Sequence, residues 1–202
     1  MQRATKLQDA ARTSEPPSLR KSDPGRSTFK ERLTIATAAI KTVAGLSLGY
    51  YVLYYHVPIP VPSLPQTLDR LIYTLRFQTF PCLTLIVGIL VVALTRLFTT
   101  AIDPINGGGE HHVAVYSRYL TNTVEQFLVS FVGQLILATF LQEHQMKNIP
   151  ILAIFFVFGR VAFFFGYRKS YLNRTTGFVA TFLVSIVVWI VVVYHVVSSL
   201  FS

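Results

Sequence analysis

The sequence predicts an all-α integral membrane protein with five transmembrane helices. The first observation is compositional: 52% of the 202 residues are hydrophobic and 13% are charged, whereas about 25% of the residues in soluble domains are charged. The second is that segments 77–95, 126–142 and 175–202 contain no Lys, Arg, Asp or Glu. Because a helix needs about 20 predominantly apolar residues to cross a bilayer, these runs are long enough, or nearly so, to span one.

Residues 1–32 form the first segment and are predicted to be a disordered basic tail. The segment contains eight Lys/Arg and four Asp/Glu, and its apolar residues show neither helical nor strand periodicity. Its polar composition does not resemble a cleavable signal peptide. We therefore expect the first membrane span to serve as the targeting signal.

Five spans follow, at about 33–56, 76–100, 114–142, 149–168 and 176–200. The first and fourth contain one charge each, Lys41 and Arg160. A charge at the centre of a span costs about 2.5–3.5 kcal/mol on insertion scales, which the apolar neighbours offset. Residues 57–75 are predicted to be a Pro-rich connector. Its four prolines between Pro58 and Pro65 fix φ and lack an N–H, so that stretch should be extended.

The distribution of basic residues predicts a cytoplasmic N-terminus. In that orientation thirteen Lys/Arg face the cytoplasm, and three, Arg70, Arg76 and Lys147, face the opposite side. Cytoplasmic loops of membrane proteins carry the same excess of Lys and Arg. We expect the protein to reside in the endoplasmic reticulum or another membrane of the secretory pathway.

Three polar side chains share one face of the third span. Arg118, Asn122 and Glu125 fall within a sector of roughly 60° on a helix, and Glu125 lies about 10 Å deeper than Arg118. An unpaired carboxylate in hydrocarbon is costly, so Glu125 needs a partner. That partner is either Arg118 or Arg160 in a structural ion pair, or a ligand that brings its own positive charge.

Basic residues also cluster where the spans reach the cytoplasm. Arg96 ends the second span, and Tyr167 follows Arg160 on nearly the same face of the fourth. The remaining members of the cluster are Arg168, Lys169 and Arg174. Taken alone, such a ring of cations indicates contact with lipid phosphates, but this does not account for the column of Asn122 and Glu125 beside it.

The loop before the third span contains Glu110, His111 and His112, which are residue types that bind metals. Adjacent histidines cannot both ligate from one helical face, and no further ligands lie nearby in the sequence. We expect no metal site there.

The motif Arg-x-x-x-Asn-x-x-Glu at 118–125, followed by Gly-Arg at 159–160, Gly-Tyr at 166–167 and Arg174, resembles the MAPEG superfamily. These are the membrane-associated proteins in eicosanoid and glutathione metabolism. The resemblance covers residue 77 to the C-terminus. The extra first span and the stretches "RLFTTAIDP" and "YSRYL" are most similar to the mattrin-like branch of that superfamily.

The resemblance implies a left-handed four-helix bundle over 76–202, with the helix at 33–56 as an extra N-terminal transmembrane helix. It also implies a homotrimer that binds glutathione in clefts between subunits. In such a cleft Glu125 would bind the ammonium of the γ-glutamyl group, Arg118 a carboxylate and Asn122 the peptide backbone. Arg160 and Tyr167 would complete the binding site.

The same resemblance assigns catalytic roles to two arginines. Arg174 would stabilise the glutathione thiolate, because a nearby guanidinium lowers the pKa of a thiol. Arg96 would be the second catalytic arginine, contributed across the subunit interface. The sequence departs from the pattern at Phe163 and Gln126, where glutathione-using members often carry tyrosines, and at Leu120, where the residue is frequently polar.

Two functions are therefore expected. The first is a glutathione-binding membrane protein, acting as a glutathione transferase or peroxidase on lipophilic electrophiles that arrive from the bilayer. The alternative is a non-enzymatic mattrin-like membrane adaptor that acts in secretory-pathway trafficking or on other membrane proteins. Its polar residues would then hold the trimer together. The branch is not assigned an enzymatic role, and we expect no nucleic-acid partner under either hypothesis.

Overall fold

The computed structural model of the chain describes residues 29–103, 108–169 and 174–201. The predicted tail therefore lies outside the described residues as far as residue 28. Within the described ranges there are six α-helices and two short 3₁₀ turns, at Thr100–Ile102 and Glu143–Gln145. The helices are α1 Phe29–Tyr55, α2 Thr67–Phe77, α3 Thr79–Leu97, α4 Glu110–Phe140, α5 Asn148–Lys169 and α6 Arg174–Leu200.

Five helical segments are long and apolar enough to cross a membrane, because α2 and α3 together form one span over Thr67–Leu97. This confirms the predicted all-α fold with five spans. Large apolar side chains are exposed around the bundle, among them Phe158 at 65% and Ile190 at 63%. Such a belt would be unfavourable in water and is what a helix bundle presents to lipid.

The second span begins at Thr67, well before the predicted start at 76. The start of α2 is capped, because the Gln66 N–H donates to the Asp69 carboxylate at 3.2 Å. The Arg70 guanidinium donates to the carbonyl oxygens of Leu64 and Pro65 at 3.3 and 3.2 Å. The second half of the 57–75 connector is therefore helical.

The Pro-rich part of the connector, residues 58–65, forms no regular secondary structure. Its four prolines are exposed, whereas Ile59 and Val61 are half-buried and Leu64 is buried. Leu64 packs in the largest core cluster with Tyr73, Leu137 and Met146. The connector thus lies against the bundle with its prolines on the outside.

Helices α3 to α6 form a four-helix bundle, and α1 packs outside it against α5 and α6. The start of α1, the end of α3, the start of α4, the end of α5 and the start of α6 lie at one end, which we call the basic end. The closest helix pair is α5–α6. A Cβ at Gly177 would collide with the backbone of Phe163, so only glycine permits this approach.

Candidate functional site

Arg160 lies at the centre of the bundle and is fully buried, with 0% of its surface exposed. One terminal guanidinium nitrogen donates to Asn122 Oδ1 at 2.9 Å. The other donates to the Gly177 carbonyl oxygen at 3.4 Å and to the Thr181 hydroxyl. A single side chain on α5 thus links α4 and α6 within the membrane.

Aromatic rings cover the rest of the guanidinium. Its central carbon lies 4.9 Å from the ring centroid of Phe163 and 5.7 Å from that of Phe156, within the range of cation–π attraction. Among the described residues no carboxylate pairs with Arg160. Neutral oxygens and ring faces therefore compensate the buried charge.

Glu125 lies near the middle of α4, and its side chain is exposed in the single chain. Neither of the intrachain ion pairs considered from the sequence is found among the described residues, because Glu125 contacts neither Arg118 nor Arg160. Arg160 binds Asn122 instead, since Asn122 faces α5 whereas Glu125, three residues on, faces away from the bundle. A carboxylate exposed in the middle of a membrane span is energetically costly unless a polar group or water meets it.

A cavity of about 520 Å³ lies beside Arg160. Its polar lining comes from Arg118, Asn122 and Thr175, and the remaining walls are Ile35, Phe163, Phe178 and Val179. Arg118 is exposed and has no partner among the described residues. Two of the predicted binding residues therefore share a cavity, whereas Glu125 does not line it.

Arg96 does not reach this cavity in the single chain. Its guanidinium makes two contacts with the Glu110 carboxylate, at 2.6 and 3.2 Å, and a third with the Ala101 carbonyl oxygen at 3.1 Å. This pair joins the end of α3 to the start of α4. The described residues contain no group of three or more His, Cys, Asp or Glu that could hold a metal ion.

Tyr167 and Arg174 complete the set of predicted site residues. The backbone of Tyr167 belongs to the last turns of α5, and Arg174 begins α6. The side chains of both lie outside the described residues. Their predicted roles, closing the site and stabilising a thiolate, therefore stay predictions.

Comparison with known proteins decides the family. The model of the MAPEG family matches residues 79–194, which is more than half of the chain. The chain belongs to the MAPEG family. The match begins at the first residue of α3, so α1 and the connector lie outside it.

Two curated relatives have the same name. The MAPEG chain is 26% identical to Transmembrane protein 79 of Mus musculus over 162 residues, which is 79% of this chain and 41% of the relative. It is 30% identical to Transmembrane protein 79 of Bos taurus over 141 residues, which is 69% of this chain and 35% of the relative. The chain thus spans about two fifths of the length of these relatives, and no solved structure matches it.

One departure from the glutathione-using pattern, Phe163, has a structural role in this MAPEG bundle. Phe163 is 4% exposed and stacks on Tyr119, with ring centroids 5.9 Å apart. Gln126 is buried, and its Oε1 lacks a partner among the described residues. The phenyl ring that replaces a tyrosine thus forms part of the cover over Arg160.

Two partners of Arg160, Gly177 and Thr181, were not predicted from the sequence. They lie four residues apart on one face of α6, and a pair of small residues at this spacing is typical of close helix contacts in membranes. This pattern was present in the sequence as "GFVAT". It could have identified the α5–α6 interface, but it could not have identified Arg160 as the residue bound there.

Proposed function

We propose that this MAPEG protein is a non-enzymatic membrane adaptor that acts on other membrane proteins of the secretory pathway. The observation that carries the proposal is the engagement of Arg160. Among the described residues its guanidinium donates hydrogen bonds to Asn122, Gly177 and Thr181, and these bonds stabilise the bundle. Arg96, the expected second catalytic arginine, is likewise held by Glu110.

The names of the relatives support the same proposal. Both are called Transmembrane protein 79, which describes a membrane protein and names no reaction. We further propose a cytoplasmic N-terminus, because that orientation places the large majority of Lys and Arg on the cytoplasmic side.

The Pro-rich part of the connector offers a surface for a membrane-protein partner. Prolines 58, 60, 62 and 65 are all exposed, while the apolar residues between them face the bundle. An extended Pro-rich segment loses little conformational entropy on binding and suits an aromatic groove on a partner. The buried Leu64 fixes the connector to the bundle, so these prolines are presented from a defined position.

Assembly as a homotrimer would cover Glu125. Its carboxylate is exposed at the middle of a membrane span and has no partner among the described residues of its own chain. In a trimer this face of α4 would meet a neighbouring copy, where basic and amide side chains can bind the carboxylate.

Two measurements on the detergent-purified protein test the proposal. We expect no conjugation of glutathione to a chromogenic aryl chloride above the rate without protein. We also expect Glu125→Ala to dissociate the oligomer on a native gel in the absence of glutathione. Glu143→Ala removes an exposed carboxylate outside α4 and is the matched control. Measurable turnover, or an oligomer that Glu125→Ala leaves intact, contradicts the adaptor proposal.

A second candidate function is glutathione binding, and the cavity favours it. Arg118 and Asn122 line the cavity, and neither Arg118 nor Glu125 has a partner among the described residues. Arg118 would bind a carboxylate of the tripeptide, and Glu125 of a neighbouring copy would bind its ammonium. A transferase or peroxidase acting on a lipophilic substrate would also need Arg174 near the thiolate.

A glutathione titration tests this candidate separately. If glutathione binds, it raises the melting temperature of the purified protein, and Arg118→Gln abolishes the rise. Arg76→Gln, which removes a charge from α2 far from the cavity, should leave the rise unchanged. No rise at millimolar glutathione excludes this candidate, whatever the oligomer does.

A further inference from the structure

Helix α1 does not close against the bundle along its whole length. Between α1 and the pair α5–α6 lies a groove of about 670 Å³. It is separate from the cavity at Arg118, and no residue predicted to bind glutathione lines it. One wall, α1, lies outside the residues matched by the MAPEG family, so the groove is an addition to the family bundle.

The lining of the groove changes from polar to apolar along its length. At the basic end it contains Thr34, Thr37 and Thr176, followed by Lys41. Farther along α1 it contains Leu46 and, from α5, apolar residues that include Ile154, Phe155 and Phe158. An occupant matching this lining has a polar head at the basic end and a long apolar tail.

Lys41 determines the charge of that head. Its side chain is exposed to the groove and has no partner among the described residues. It lies twelve residues into α1, about 18 Å from the helix start at 1.5 Å per residue. An ammonium avoids hydrocarbon, so the charge of a lysine at this depth is best placed when the side chain runs towards the basic end.

A second element favours an anion at the same end. Thr176 lies in the first turn of α6, which begins at Arg174. The free N–H groups and the dipole of a helix N-terminus attract negative charge. The Lys41 ammonium and this helix start border one groove, so a phosphate between them would be attracted by both.

The deep part of the groove is open space. A Cβ at Gly45 would meet no atom within 4 Å, and one at Gly49 would lie 3.5 Å from the Phe155 ring. The small residues of α1 therefore do not serve to bring α1 against the bundle at Gly45. They leave room that an acyl chain can fill.

We propose that the groove binds an anionic phospholipid, with its phosphate between Lys41 and the start of α6 and one acyl chain along Gly45 and Phe155. The direction of the groove matches that of a bilayer lipid, whose head lies at the interface and whose tail enters the hydrocarbon. The bound lipid neutralises Lys41 and joins α1 to the bundle.

Native mass spectrometry of the whole protein tests the proposal. The protein is equilibrated in mild detergent with equal amounts of phosphatidylserine, phosphatidylcholine and oleate, and the retained lipids are counted. We expect phosphatidylserine to be retained preferentially. Lys41→Met should reduce its retention roughly fivefold, Lys41→Arg should preserve it, and Gly45→Leu should reduce it by filling the tail channel.

Arg32→Gln is the matched control, because it removes an equal charge from α1 outside the groove and should leave retention unchanged. Circular dichroism verifies that each variant is folded, with Lys41→Gln replacing Lys41→Met if the latter does not fold. Equal loss in Arg32→Gln and Lys41→Met overturns the proposal, as does preferential retention of oleate. Dissociation of the oligomer by Gly45→Leu without lipid loss also overturns it, since the occupant would then be a second copy.

Discussion

The guanidinium of Arg160 and the amide oxygen of Asn122, 2.9 Å apart, join the middle of α5 to α4 inside the membrane. Both residues belong to the set that the family resemblance assigns to glutathione. In this chain they form one structural unit, because the bond uses the acceptor of Asn122 and a donor of a fully buried arginine. The amide nitrogen of Asn122 keeps its donors for the cavity.

Breaking this bond from one side should be more damaging than removing both partners. Asn122→Leu leaves a buried guanidinium short of an acceptor, and we expect a loss of about 1.5–3 kcal/mol in unfolding free energy. Replacing both residues, in Arg160→Met with Asn122→Leu, should cost less than the sum of the single changes. SDS-induced unfolding in mixed micelles measures the cycle, and strictly additive losses would show that the bond contributes nothing specific.

Gly177 should tolerate no side chain. A Cβ there would meet the backbone nitrogen and Cα of Phe163, so Gly177→Ala must push α5 and α6 apart and weaken the contacts of Arg160 to α6. We expect a loss of about 1–3 kcal/mol or more. Gly45→Ala is the control, because its site is open and alanine favours a helix by up to about 1 kcal/mol. Equal effects of the two changes would contradict the close packing.

The sequence predicted the all-α fold and the number of membrane spans because one property, hydropathy over about 20 residues, decides both in a membrane. The helix at the end of the connector, α2, was not predicted for the same reason. Asp69, Arg70 and Arg76 lower the hydropathy of α2, although Asp69 caps the helix and Arg70 binds the chain before it. These charges have local structural roles, but they lower the hydropathy of residues 67–76, so the sequence did not predict a helix there.

The sequence predicted which residues belong to the candidate site better than it predicted which residues they contact. Helical spacing placed Asn122 and Glu125 on one face, separated by about 60° of rotation. In the structure that rotation is enough for Asn122 to bind Arg160 and for Glu125 to face away from the bundle. The rotation of α4 is set by packing against α5 and α6, which no local pattern encodes. The pair Arg96–Glu110 crosses a turn-rich connection, and hydropathy contains no information about that turn.

In the Pro-rich connector, substitutions of buried residues should lower stability, whereas substitutions of the exposed prolines should affect only the contact with a partner. Leu64→Ala removes a side chain that is 6% exposed in the main core cluster, and we expect a loss of about 2–5 kcal/mol. Pro60→Ala and Pro62→Ala, both exposed, should leave the melting temperature unchanged. With a photo-crosslinking residue at position 63 in cells, those proline changes should remove discrete crosslinked bands. Bands that persist would exclude the prolines as the contact surface.

Breaking the ion pair of Arg96 and Glu110 distinguishes the adaptor proposal from an enzymatic function most directly. The two side chains are 28% and 51% exposed, so Glu110→Gln should cost less than about 1 kcal/mol. That change also removes the negative charge that holds the Arg96 guanidinium and leaves it bound by neutral acceptors such as the Ala101 carbonyl oxygen, so Arg96 can turn more easily to a ligand on a neighbouring copy. In an adaptor the freed arginine has no thiolate to act on, and conjugation of glutathione to an aryl chloride should stay at background. If Glu110→Gln creates turnover that Arg96→Gln then removes, Arg96 is a catalytic arginine held back by its own chain, and the adaptor proposal is wrong.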